Sequence, residues 1–220
     1  MRESQLVGQT VVVIGGSAGI GLETARIARA EGADVILTAR DSDRLERAGR
    51  EVGAQRTATF DATDTASLAT FFRDLSTIDH VMVTGPGPHY TPLLEMDPAQ
   101  VRDAISDHVV LALEVARNAI GKMRAGGTLL FMGGTGGRRI DHRLGIVSAA
   151  TAALPPSTAA LALEVAPVRV NLIVAGFVDT PCRPHCWGIG STSAGPSCGR
   201  RSRSAGSSVP PTWPRSQFTS

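Results

Sequence analysis

Twelve residues near the N-terminus, Thr10 to Gly21, limit the possible folds of this chain more than any others: TVVVIGGSAGIG. A short apolar run ends in glycines at 15, 16, 19 and 21, and the amphipathic stretch LETARIARAEGA follows at once. That order reads as a buried strand, a tight turn and a helix N-terminus. Glycines there let the backbone approach a pyrophosphate, and the N–H groups and dipole of the helix end favour its negative charge. A glycine cluster alone marks many tight turns. Placed between a strand and a helix it marks a dinucleotide site, with Gly15, Gly16, Ser17, Gly19, Ile20 and Gly21 as its candidate cradle.

The alternation continues along the chain. Apolar strands are predicted at 10–15, 34–38, 56–60, 80–84, 128–132 and 168–174, with amphipathic helices at 19–31, 42–52, 64–75, 97–123 and 144–165. Strands alternating with helices call for an α/β fold: a Rossmann-like, doubly wound parallel sheet covered on both faces. Right-handed crossovers then give the strand order 3-2-1-4-5-6. Pro155-Pro156 is expected to kink the last helix, because Pro155 has no N–H for the carbonyl four residues back.

Length and charge narrow the class. With 220 residues the chain suits one α/β core rather than two. The net charge of +2 is uneven: residues 182–220 hold five arginines and no acid, so the preceding body is mildly acidic and gives no support for nucleic-acid binding. All three cysteines lie in that same segment, which excludes disulfides and thiol catalysis from the body. The five histidines are scattered without ligand spacing, so no metal site is expected. No apolar run approaches a membrane span, and the first residues lack a signal peptide's apolar stretch. A cytoplasmic protein without a membrane partner is the expectation.

Four motifs, in order and at fitting intervals over residues 6–181, resemble the short-chain dehydrogenase/reductase family. GGSAGIG matches its Gly-x-x-x-Gly-x-Gly turn, and DATD at 61–64 its Asp-x-x-Asp. TGPG at 84–87 stands in the place of Asn-Asn-Ala-Gly, and VRVNLIVAGFVDTP at 168–181 matches the sixth strand and the Pro-Gly-x-x-x-Thr loop, with Ala175 for Pro. The resemblance implies a nicotinamide dinucleotide with Asp61 and Ala62 at the adenine, Gly85 and Gly87 along the cofactor, and Thr180 at the carboxamide. It also implies a small carbonyl or alcohol substrate, and a homo-oligomer formed through helices 97–123 and 144–165. The second strand ends Thr38-Ala39-Arg40, with no acid for a ribose 2′-hydroxyl. Arg40 can pair with a 2′-phosphate, which favours NADP(H) over NAD(H), although a solvated surface arginine is the plainer reading.

The family's Tyr-x-x-x-Lys is absent. The chain has one tyrosine, Tyr90, and one lysine, Lys122, 32 residues apart. Setting IVSAATAAL (146–154) on the family's helix puts Val147 at the Tyr and Thr151 at the Lys. The family's Ser falls on Gly134, with Thr135 its neighbour, and His108 falls where a helix Asn is usual. Tyr90, His108 and Thr135 are the candidate surrogates. Each also has a plainer role, as a packing aromatic, a satisfied helix residue and a loop hydroxyl. An oxidoreductase and a non-catalytic dinucleotide-binding protein (a sensor or partner subunit) both remain open.

From Cys182 onward there is no leucine, no acid and no hydrophobic period. A basic, disordered tail accounts for this. A shifted reading frame accounts for more: with GC-rich codons, one base upstream, SVPPTWPRSQFTS permits GPADVAALAVH, resembling the family's helix before its last strand. Residues 1–181 are therefore expected to form the domain and 182–220 a tail, with a non-functional shifted product as a third possibility. Loss of a following strand leaves the sixth as an exposed edge.

Overall fold

A computed structural model describes residues 5–85, 87, 90–138, 142–176 and 178. The chain divides into units Met1–Gly188 and Ile189–Ser220, and every described residue belongs to the first. The tail and Thr180 lie outside the described residues.

Val11 to Ile14 are buried on both sides, so this run becomes the central strand. Six strands among the described residues are β1 (Thr10–Ile14), β2 (Asp34–Ala39), β3 (Arg56–Thr59), β4 (Ile78–Val83), β5 (Met123–Gly134) and β6 (Arg169–Ala175). They form one sheet in the order β3-β2-β1-β4-β5-β6, every pair parallel, which is the expected doubly wound architecture. β5 starts earlier than expected. Met123 pairs with Ile78, and a register shift follows before His80 meets Thr128. The intervening Ala125-Gly126-Gly127 read as a turn in the sequence because glycines punctuate strands.

Helices cover the sheet as the strand alternation requires. Helices α1 (Gly19–Ala30) and α2 (Ser42–Val52) pack Ala25, Leu45 and Ala48 against Val11, Val13, Val35 and Leu37. On the opposite face, α3 (Thr65–Arg73), α5 (Leu111–Ala119) and α6 (Gly145–Glu164) pack Phe71, Phe72, Val115 and Leu161 with Val12, Ile14 and Val81. Successive β1 residues thus serve opposite layers.

The helix expected at 97–123 is not uniform. It comprises α4 (Pro98–Ile105), a π-helical turn at Ser106–Val110, α5, and a 3-10 turn at Ile120–Lys122. Its start is fixed by a capping box: the Asp97 carboxylate accepts from Ala99 and Gln100 N–H at 2.8 and 2.9 Å, and Gln100 Oε1 accepts from Asp97 N–H.

α6 runs through Pro155 and Pro156 as one helix of 20 residues. Both prolines sit on its exposed side, so only the carbonyls of Thr151 and Ala152 lose a helical donor. With a mean hydropathy of 1.5, α6 is also long and apolar enough, by length and composition alone, to cross a membrane. This corrects the expectation that no run approached that length. Its apolar residues Ile146, Ala150, Leu154 and Leu161 are buried within the protein.

A polar cluster closes the N-terminal end of the sheet. Asp79, 7% exposed, accepts from Thr10 N–H at 2.8 Å and from Arg124 Nη1 at 2.7 and 2.9 Å. Lys122 Nζ donates to the carbonyls of Arg73 and Leu75 at 3.0 and 2.8 Å.

Candidate functional site

At the C-terminal ends of the strands, between β1 and β4 where the strand order reverses, lies a cavity of about 1350 Å³. Open parallel sheets bind ligands at this switch point, and pockets for drug-sized ligands span roughly 300–1,000 Å³. A dinucleotide together with a small substrate suits the larger volume.

The turn after β1 builds one wall. Gly15 and Gly16 N–H both donate to the Thr38 carbonyl at 3.0 Å, tying the turn to β2. Gly15 has φ +87° and Gly19 φ +55°, where a side chain is strained. Gly21 lets α1 pack closely: a Cβ there would overlap the Gly15 carbonyl and stand 2.7 Å from Thr84 Oγ1. Thr84 Oγ1 donates to the Ile14 and Gly15 carbonyls, each at 3.1 Å. Asp41, Asp64 and Asp97 cap α2, α3 and α4, whereas α1 begins at Ala18 with no side-chain cap and no acid in its first turn. Its first N–H groups are therefore offered to an anion in the cavity.

Gly15, Ser17, Gly19, Ile20 and Gly21 line the cavity as expected. Gly16 does not. It is buried under β2, where a Cβ would meet Leu37 Cδ2 at 2.8 Å, so its requirement for glycine comes from packing rather than phosphate approach.

Arg40, Asp61 and Ala62 line the adenosine end of the cavity, and Gly85 and Gly87 line it after β4. Arg40 Nη1 lies 3.8 Å from Asp61 Oδ2, with both side chains largely exposed. Asp61 Oδ1 accepts from Thr63 N–H and Oγ1 at 3.0 and 2.8 Å, which shapes the loop, and Asp64 caps α3. Hydrogen bonds from the Ser67 hydroxyl and then from the Ser67 and Ala66 N–H groups hold the Asp64 carboxyl below its usual pKa. Arg44, in the first turn of α2, lines the same end and was missed in the sequence. The signal was its position three residues after the capping Asp41.

Tyr90, His108 and Thr135 all line the other end, together with Val147, Thr151 and Gly136. The aligned positions thus converge in space. The Tyr90 ring packs against the cluster of Ala104, Ile146 and Val147. His108 Nδ1 lies 3.1 Å from the Ala104 carbonyl. Thr151 is buried, and its hydroxyl donates to the Val147 carbonyl at 2.7 Å. Asp107 lines the cavity too and was not foreseen, because a π-helical turn leaves no mark in the hydrophobic period.

A family model described as enoyl-(acyl carrier protein) reductase matches residues 15–194. The chain is a member of the short-chain dehydrogenase/reductase family. This short-chain dehydrogenase/reductase is 30% identical to galactitol 2-dehydrogenase (L-tagatose-forming) of Cereibacter sphaeroides over 80% of its own length and 74% of the relative's. It is 27% identical to the cyclic-di-GMP-binding biofilm dispersal mediator protein of Escherichia coli, covering 80% and 76% of the two chains. The crystal structure of BdcA in complex with NADPH superposes with a TM-score of 0.73 at 25% identity, over 82% of this chain and 78% of that one.

Proposed function

We propose that this short-chain dehydrogenase/reductase binds NADP(H) and serves redox chemistry on a small carbonyl or alcohol without the family's Tyr-x-x-x-Lys. The observation that carries the reading is the uncapped start of α1, opening into a cavity whose far rim holds Arg40. The first-turn N–H groups of α1 would hold the pyrophosphate. Asp61 and Ala62 would flank the adenine, and Arg40, with Arg44 beside it, would face a 2′-phosphate. Thr180 is assigned to the carboxamide from the sequence alone. When bound, the cofactor supplies or accepts a hydride. The chain's part is to orient it and to move a proton.

A second reading has its own observation. Val147 has no proton to donate, and the Thr151 hydroxyl is turned back onto its own helix. A dinucleotide-binding protein without turnover needs only the α1 cradle, Arg40 and Asp61, and one relative carries a binding protein's name. Exposed Val110 and Leu113 support self-association through the helical segments 97–123 and 144–165. The cytoplasm is the proposed location.

Calorimetry tests the cofactor reading. NADPH is expected to bind more tightly than NADH, and Arg40→Ala to weaken NADPH about tenfold, or about 1.4 kcal/mol, while leaving NADH unchanged. Equal NADPH affinity in both proteins would remove Arg40 from the site. Turnover of a carbonyl panel by the NADPH-loaded protein separates the enzyme from the binder.

A further inference from the structure

We infer that His108, and not Tyr90, is the residue that moves the proton; this rests on the oxidoreductase reading above. The mover must border the substrate end of the cavity and change charge near neutral pH. Both residues meet the first condition.

They part on the second. A phenol titrates near about 10 and needs a neighbouring cation to come down. The single lysine is held at the opposite end of the sheet by the Arg73 and Leu75 carbonyls, and position 151 is a neutral Thr. The Tyr90 ring meets Ala104, Ile146 and Val147 instead. An imidazole, near about 6.5 without help, suits general acid–base work at neutral pH.

The local backbone prepares His108 for the task. Its π-helical turn sets two consecutive ionisable side chains, Asp107 and His108, along the cavity. A carbonyl only accepts, so the Ala104 oxygen, 3.1 Å away, keeps the proton on Nδ1 and makes Nε2 the titrating nitrogen. Around it, Asp107 from its own helix and Tyr90 from the loop after β4 are the titratable groups of this wall among the described residues. α6 contributes Val147 and Thr151, and the 3-10 turn after β5 contributes Thr135.

In the reducing direction the carbonyl carbon gains a hydride from the reduced nicotinamide, and the C=O π pair moves to oxygen. That oxygen takes the proton from imidazolium Nε2, leaving a neutral imidazole, an alcohol and the oxidised cofactor. Alcohol oxidation is the reverse, with neutral Nε2 accepting the hydroxyl proton.

Two measurements on the full chain test this. The first follows the His108 ring by NMR across pH, with NADPH and then NADP⁺ bound, using His108→Asn to assign the signal. The positive nicotinamide should move the His108 inflection to lower pH with NADP⁺ than with NADPH, and leave exposed His142 in place. Identical inflections would overturn the proposal.

The second is NADPH-dependent reduction of a carbonyl panel. Turnover should fall as pH rises through the His108 inflection. It should drop about 100-fold or more in His108→Asn, with NADPH affinity kept and His142→Asn normal. Loss in Tyr90→Phe with His108→Asn unaffected would transfer the role to Tyr90. A wild-type chain that binds NADPH but turns over nothing would overturn the proton role while leaving the binding reading intact. One that binds no NADPH would sink the oxidoreductase reading itself.

Discussion

Gly16, Gly19 and Gly21 look alike in the sequence, yet each answers a different demand: Leu37 above Gly16, a positive φ at Gly19, and the Gly15 carbonyl against Gly21. The turn was readable because only glycine meets any of these. Which glycine meets which demand depends on neighbours distant in sequence. Gly21→Ala should cost about 1–3 kcal/mol through overpacking, read as a lower thermal midpoint together with weaker NADPH binding. His80 gives a second expectation at this scale. Its Nε2 lies 2.6 Å from Gln9 Oε1, and burial lowers its pKa below 6.5 against the opposing pull of Asp79. Below about pH 6.5 the unfolded chain therefore binds more protons than the folded one. The stabilisation from neutral His80 is complete above that value and is lost as pH falls toward the folded-state pKa. Between pH 7.5 and 5.5 the thermal midpoint of wild type should fall more steeply than that of His80→Gln, whose amide can still donate to Gln9. Parallel slopes would remove His80 from the pH dependence.

Among the elements, β1 with α1 and the three Asp-capped helices were legible because their signals are local: an apolar run, a glycine turn, a carboxylate one residue before a helix. The π-helical turn at Ser106–Val110 was not, since one residue of extra winding leaves the apolar spacing on either side intact. The start of β5 was hidden for the opposite reason. Its glycines signal a turn, while pairing of Met123 with Ile78 extends the strand through them. α6 shows tertiary packing overriding a local breaker. Leu154 and Thr158 are buried on either side of two prolines whose rings face outward. Pro155→Ala would restore a donor to the Thr151 carbonyl at an exposed position, and should stabilise the protein by about 1–3 kcal/mol. Chemical denaturation measures it. A loss of stability would mean that Pro155 limits the unfolded ensemble more than it strains the helix.

For the molecule as a whole, the unresolved matter is the sheet's last edge. Val170 and Leu172 of β6 pack into the core, but Ile173 is 41% and Val174 48% exposed, and no described segment pairs with the strand beyond them. Parallel sheets are built to be covered on both faces, and an unpaired apolar edge invites association. The cofactor site does not need that cover, because its adenosine end and α1 cradle rest on β1, β2 and β4. This makes dinucleotide binding the part of the function most secure against a changed C-terminus. The shifted-frame reading of residues 182–220 explains the open edge, since the alternative frame encodes aliphatic residues where this chain has Pro, Ser and Arg. Covering the two half-exposed side chains would contribute about 2 kcal/mol. A chain carrying the upstream frame from residue 182 should therefore melt higher and aggregate less than the chain as it stands. Ile173→Lys in the existing chain should reduce aggregation without raising the midpoint, since a charge blunts an edge but builds no core. Scanning calorimetry with light scattering on the three proteins decides the matter. If the restored frame brings no gain in midpoint, β6 is the natural edge of this sheet and residues 182–220 belong to the protein as written.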